Sequence, residues 1–319
     1  MPLFTSGKVA ATPLRVENVH PDLSILRDAL VATSPNSDSL LPGWLGRAED
    51  ERIHRFASAP GHEIPAAILP ADLRTPERLL ARYYYWVHDR ARAELLSSSP
   101  IQTHYRLEAV DVLFTTDSTD RVLALVSSRS EDVVSTAMNA IQSAIPSAEI
   151  DRFSSTALHL GDPDFFLWAM EWIINGAAIG EVSPTEATSL RARDRSSRPS
   201  LIMDTVDVQR NVFLNAVASG DTLDQLRFVV RISSIPAKIT AELYIDGSFV
   251  VLTSGSHYGV HAGVTNEHLR SVEDVAYFLI PLLRGQYEGD TDWRSQRKLA
   301  FEAESRRVLI ERLSAGLPR

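Results

Sequence analysis

The sequence predicts an α+β fold in which a helical N-terminal region is followed by antiparallel β-hairpins covered by helices. Three observations lead there. In the stretch 238–252, Ile239, Ala241, Leu243 and Ile245 alternate with Thr240, Glu242 and Tyr244, and Asp246-Gly247 supplies residues that tolerate positive φ in a tight turn. LEAVDVLF and RVLALVSS, which begin at Leu107 and Arg121, repeat this strand pattern around a polar loop at 116–120. Thr75-Pro76-Glu77, by contrast, has the hydroxyl, proline and early carboxylate of a helix start. The chain after it sets Leu79, Tyr83, Trp86 and Arg90 on one side at helical spacing.

Taken in order, residues 1–20 show no clear period. Leu23, Leu26, Leu30 and Val31 then recur at helical spacing. Prolines and glycines break the chain from 34 to 70, leaving room for one short helix at 46–57. The helix that starts at Thr75 is expected to run to Leu96, where three serines and Pro100 end it. After the first hairpin, Ser130 is placed to cap a helix to Ile145, and a short strand follows at 150–153. Asp162-Pro163 opens the apolar helix DFFLWAMEWIING, which Gly176 closes. Residues 184–199, polar and without an apolar period, read as a linker. Beyond it come a strand at 201–208, a helix at 211–218, a strand at 226–232, the hairpin, a helix from Ser271 to Leu283 and a last helix over 292–313. The expected division is thus a mainly helical region (1–100), an α+β unit (101–183), the linker (184–199) and a second α+β domain (200–319). Residues 107–145 and 226–284 share the order hairpin-then-helix, which allows two hairpin-helix units without any residue-level identity.

Composition bounds the function classes. A chain of 319 residues, 44% hydrophobic and 23% charged, is ordinary globular usage and about two domains in length. A net charge of −9 gives no general attraction to polyanions, so any nucleic-acid contact requires a local basic patch. Of the 32 basic residues only Lys8, Lys238 and Lys298 are lysine, a chain-wide bias that GC-rich bacterial coding explains as well as any ligand. The absence of cysteine excludes disulfides, thiolate metal sites and cysteine nucleophiles. The N-terminus lacks the pattern of a secretion signal, and the most apolar stretch, 165–180, is shorter than the ~20 residues of a membrane span. A soluble, cytoplasmic protein without membrane contact is expected.

Four segments carry candidate chemistry. His257 and His261, four apart in a glycine-bearing loop after the hairpin, suggest a metal or acid/base site assisted by Glu242, Asp246 or His159. The plainer reading is a solvated connection. His159 stands beside Asp162 and Asp164, although those acids also suit the start of the following helix. Arg82, Tyr85, Arg90 and Arg92, interleaved with aromatics, could grip phosphate and stack bases, or could be the solvated side of a helix with a buried aromatic stripe. Trp168 and Trp172 lie on a helix apolar around most of its circumference, which fits either a core element or a docking surface. The nucleotide-binding glycine loops, HExxH, GxSxG and zinc-ligand spacings are missing. No metal or cofactor is predicted. The leading expectation is a non-catalytic binding or assembly protein. It would be a subunit or adaptor in a bacterial complex, with a protein partner or second copy and with a nucleic-acid-linked or phage-defence role open. A hydrolase centred on the 256–263 loop is the alternative.

Overall fold

In the computed structural model, which describes residues 4, 7–36, 39–46, 65–96, 98–117, 119–152, 158–193, 199–203, 211–259 and 266–315, the chain divides into two compact units, Met1–Thr156 and Ala157–Arg319. Each is an antiparallel sheet with helices packed on it. This overturns the expected helical N-terminal region: the first unit is built mainly from strands.

Its strands are β1 (Lys8–Glu17), β2 (Gly43–Trp44), β3 (Ala67–Leu69), β4 (Arg78–His88), β5 (Tyr105–Thr116), β6 (Val122–Val126) and β7 (Glu149–Asp151). They pair in the order β2-β4-β5-β6-β1-β7, with β3 beside β2 on the outer edge of β4. Helices α1 (Leu23–Val31) and α3 (Glu131–Ala144) bury Leu26, Leu30, Val134, Ala137 and Ile141 against Leu14, Val112, Phe114 and Ala124 on one sheet face. The short α2 (Arg90–Leu95) follows β4, capped by Asp89.

The segment expected as a helix from Thr75 to Leu96 is mostly β4. Arg78 to His88 pair residue by residue with Thr115 to Tyr105 of β5. Two periods compete in RLLARYYYWVH, and the helical spacing of Leu79, Tyr83 and Trp86 is incidental. Leu79, Ala81, Tyr83 and Tyr85 lie on the face covered by α1 and α3, while Tyr84 and Trp86 meet Leu45, Leu107 and Ala109 on the other. A strand buried on both faces shows no clean polar alternation, and consecutive aromatics favour the extended state. The helix expected at 46–57 lies outside the described residues, apart from Gly46.

The second unit contains β8 (Val182–Arg193), β9 (Pro199–Met203), β10 (Thr222–Ile232), β11 (Ala237–Tyr244), β12 (Phe249–Leu252) and β13 (His257–Tyr258). The order is β9-β8-β10-β11-β12, with β13 continuing on β12's side of β11. The hairpin read at 238–252 is thus present as β11 and β12. The expected linker is β8 over Val182–Arg193. Its charged residues hid a strand period: Leu190 and Ala192 are buried on one face, and Arg191 and Arg193 on the other reach Asp224.

Helices of this unit are α4 (Asp164–Asn175), α5 (Asn211–Ser219), α6 (Glu267–Glu273), α7 (Ile280–Gly289) and α8 (Lys298–Ser314). Wide π turns at Asp274–Leu279 and Trp293–Arg297 precede α7 and α8. Asn266, not Ser271, caps α6, its side chain accepting from the Leu269 N–H. Among the described residues no helix is long and apolar enough to cross a membrane.

Candidate functional site

One face of the second sheet carries a cluster of ionisable side chains contributed by four strands. β10 and β11 pair in the register Gln225↔Tyr244, Arg227↔Glu242, Val229↔Thr240 and Arg231↔Lys238. β8 sets Arg191 opposite Gln225, Ser189 opposite Arg227 and Ser183 opposite Arg231, and β13 sets His257 opposite Lys238. Alternation therefore sends four cross-strand rows to one face, while Leu226, Val230, Ile239 and Leu243 go to the core.

One end of this face is a closed ionic network. Glu242 is 3% exposed. Its Oε1 accepts from Gln225 Nε2 at 2.9 Å and from the Tyr244 hydroxyl; its Oε2 accepts from Arg227 Nε at 2.6 Å and from Arg227 Nη2. A carboxylate has about four acceptor positions, so Glu242 is filled. Next to it, a bulge between Leu223 and Gln225 turns Asp224 toward β8. There Asp224 receives Arg191 through Nε at 2.7 Å and Nη2 at 3.1 Å, together with Arg193 Nε. The Arg191 guanidinium also lies 5.8 Å from the centre of the Tyr244 ring. These groups stabilise one another, with Glu242 filled and Asp224 held by three charge-assisted bonds.

The other end is different. Ser183, Arg231, Lys238 and His257 line an open groove of about 590 Å³ together with Pro236. None of the three basic side chains has a carboxylate partner among the described residues. The acids nearest in register, Glu181 opposite Ser233 and Glu186 opposite Val229, each stand one row away.

The catalytic candidates do not converge. His257 sits opposite Lys238, four residues along β11 from Glu242, which at strand rise is about 13 Å. Asp246 lies beyond the far end of β11 in the hairpin turn, where it accepts from Ser248 N at 3.0 Å and Ser248 Oγ at 2.5 Å. His159 is beside that turn: a Cβ on Gly247 would fall 2.5 Å from Leu158 O and 3.0 Å from His159 Cα. The His159 Nδ1 is enclosed and makes no hydrogen bond among the described residues. His261 lies outside the described residues. No group of three His, Asp or Glu side chains able to hold a metal ion occurs among the described residues.

The binding candidates are also dispersed. Arg82 is 1% exposed and forks onto its cross-strand neighbour Asp111 through Nε–Oδ1 at 2.6 Å and Nη2–Oδ2 at 2.9 Å. Burial would lower the guanidinium, but the bond to Asp111 and its charge hold it above its ordinary value. Arg82 is therefore a structural cation, unavailable to phosphate. Tyr85 is half-buried on the helix-covered face, and burial raises its phenol. Arg90 is exposed and pairs with Glu94 at 3.0 Å, and Arg92 Nη1 reaches Tyr105 O at 3.3 Å.

Trp168 and Trp172 are 2% and 5% exposed. They stack at 6.3 Å and meet Phe165, Tyr287 and Phe228. Their indole N–H groups donate to Asp290 Oδ2 at 3.0 Å and Ala177 O at 2.6 Å. Helix α4 is a core element, and these two rings are not a docking surface.

Sequence reasoning missed Asp224, Gln225, Arg227 and Arg231. The signal was present as polar residues two apart in QLRFVVRI, but Val229 interrupts it and the bulge shifts Asp224 out of phase. No family model matches the chain, and no curated protein matches it in sequence at a significant level.

Proposed function

We propose that the protein is a non-catalytic binding or assembly protein, a cytoplasmic subunit or adaptor whose recognition surface is the polar face of the second sheet. The observation that carries this reading is the division of that face. At one end Glu242 and Asp224 are occupied by arginine, which builds a rigid ionic scaffold. At the other, Arg231, Lys238 and His257 line an open groove without acidic partners. A scaffold that fixes the strands and leaves cations exposed serves recognition; it does not supply a base, a nucleophile or a metal seat. The hydrolase alternative draws support only from His257, which is exposed within the groove.

A panel of phosphoester, peptide and ester substrates, run with and without divalent metals on wild type and His257→Ala, separates the two. The binding reading expects no turnover that depends on His257. Turnover abolished by His257→Ala at an unchanged melting temperature would replace it with the hydrolase.

A further inference from the structure

The open groove of the second unit has a more specific chemistry. We infer that Arg231, Lys238 and His257, with the Ser183 hydroxyl, form a subsite for a phosphate-type anion carried by a small ligand. The inference rests on the binding reading and names the ligand class for that surface.

The four residues come from four neighbouring strands at a single level: Ser183 on β8 opposite Arg231 on β10, Arg231 opposite Lys238 on β11, and Lys238 opposite His257 on β13. All four line the same groove. Like charges set directly opposite one another destabilise a sheet, so a row of unpaired cations requires a compensating reason. Blocking an exposed sheet edge is one such reason elsewhere, but β10 and β11 are interior strands with partners on both sides. The contrast within the same face is sharper still. Arg191, Arg193 and Arg227 each hold a carboxylate, whereas Arg231 and Lys238 have none among the described residues. An anion from solution is the missing partner.

The donor set selects the kind of anion. Arg231 presents a planar fork suited to two oxygens, Lys238 a mobile point charge, and His257 and Ser183 single donors at the flanks. A carboxylate can serve the fork, but its two oxygens lie in one plane and on one carbon, which limits how many strands it can reach. A phosphate has oxygens for the fork and for a neighbouring strand, and a diphosphate extends across the strand spacings of about 4.8 Å that separate these side chains. The groove, about 590 Å³, is of small-ligand size. With a net charge of −9 the protein offers a polyanion no long-range attraction, which favours a compact ligand over a nucleic-acid strand. Underneath, the Gly259 N–H donates to Pro236 O at 2.6 Å, and a Cβ at Gly259 would stand 2.7 Å from Pro236 Cγ, so the wall formed by Pro236 is held from behind.

The test is calorimetric titration of the full chain with inorganic pyrophosphate at constant ionic strength. Wild type is compared with Arg231→Ala, Lys238→Ala and Arg284→Ala, the last removing a half-buried arginine that pairs with Glu288 elsewhere in the same unit. Saturable one-to-one binding is expected, weakened at least tenfold by Arg231→Ala and Lys238→Ala and unchanged by Arg284→Ala. Arg231 is exposed, so its variant should fold, and circular dichroism checks this. No saturable binding, equal affinity in Arg231→Ala, or equal loss in Arg284→Ala overturns the assignment. Tighter binding of a single-stranded RNA oligomer at the same residues overturns it in favour of a nucleic acid. A wild-type protein that co-purifies with a stoichiometric partner but ignores pyrophosphate loses the ligand class and keeps the binding reading. Pyrophosphate bound by a protein that purifies alone supports the subsite and removes the adaptor role.

Discussion

Replacing Arg82 by methionine tests the buried ion pair of the first unit. The guanidinium and the Asp111 carboxylate are each 1% exposed, and the two are joined by a bidentate bond between paired residues of β4 and β5. Asp111 Oδ2 also accepts from the Phe4 N–H at 3.2 Å, and the Asp111 N–H donates to Ser127 Oγ at 3.0 Å. Methionine fills much of the space but leaves a buried carboxylate with one neutral donor. Breaking a buried pair from one side costs about 3–5 kcal/mol, and Phe4 N–H does not replace a charge. Removing both charges with Arg82→Met and Asp111→Leu eliminates the stranded ion, so the double variant should recover most of that loss. Hydrogen exchange read by mass spectrometry on β4 and β5 peptides, across a urea series, reports on the unit without assuming that the whole chain unfolds in one step. A single-variant cost below about 1 kcal/mol, or a double variant no better than the single, would refute the view that this pair is a closed, desolvated unit.

Three further outcomes follow from particular contacts. Charged substitutions at Trp168 and Trp172 should unfold the second unit, because truncating a buried tryptophan already costs about 3–5 kcal/mol; a folded Trp168→Glu/Trp172→Glu protein by circular dichroism would contradict their core role. Tyr258 is buried and donates to Asp274 Oδ2 at 2.7 Å, and burial, then the Asp274 charge, pushes its phenol well above the usual range. Its proton is held more tightly folded than unfolded, so this contribution is intact below the unfolded phenol value of about 10 and is lost as the pH rises past it. Tyr258→Phe should therefore flatten the fall in urea stability above pH ~10, and an unchanged slope would count against this linkage. Gly247 has φ +79°, and a Cβ there would press on the Leu158 carbonyl at 2.5 Å. Gly247→Ala should cost at least the 1–2 kcal/mol of left-handed strain, measured as a lowered urea midpoint, whereas a neutral result would deny the close approach of 158–159 to the turn.

How much was legible depends on where each segment's polar residues face. The hairpin of β11 and β12 was readable because one face of β11 is apolar and the other carries Lys238, Thr240, Glu242 and Tyr244. Helices α3 and α4 announced themselves by their apolar residues and by the glycine that ends α4. β4 did not, since both its faces are largely buried and its two arginines are held inside, Arg82 by Asp111 and Arg78 by the Pro70 carbonyl. β8 was obscured for the opposite reason: its arginines look like a solvated linker until Asp224 arrives from β10 to hold them. The candidate site shares that difficulty. Glu242 and His257 were visible individually, but strand register decides that the first is saturated and that the second belongs to a different row. No local pattern encodes register between β8, β10 and β11.

The groove end of the second sheet is proposed as the recognition surface. Light scattering after gentle purification from the host, with mass spectrometry of whatever co-elutes, measures this for wild type and for Arg231→Glu/Lys238→Glu. Wild type should carry a stoichiometric companion or small anionic ligand that the folded double variant loses. A lone chain in both cases that also fails to bind pyrophosphate, or a companion retained unchanged by the variant, would contradict this proposal.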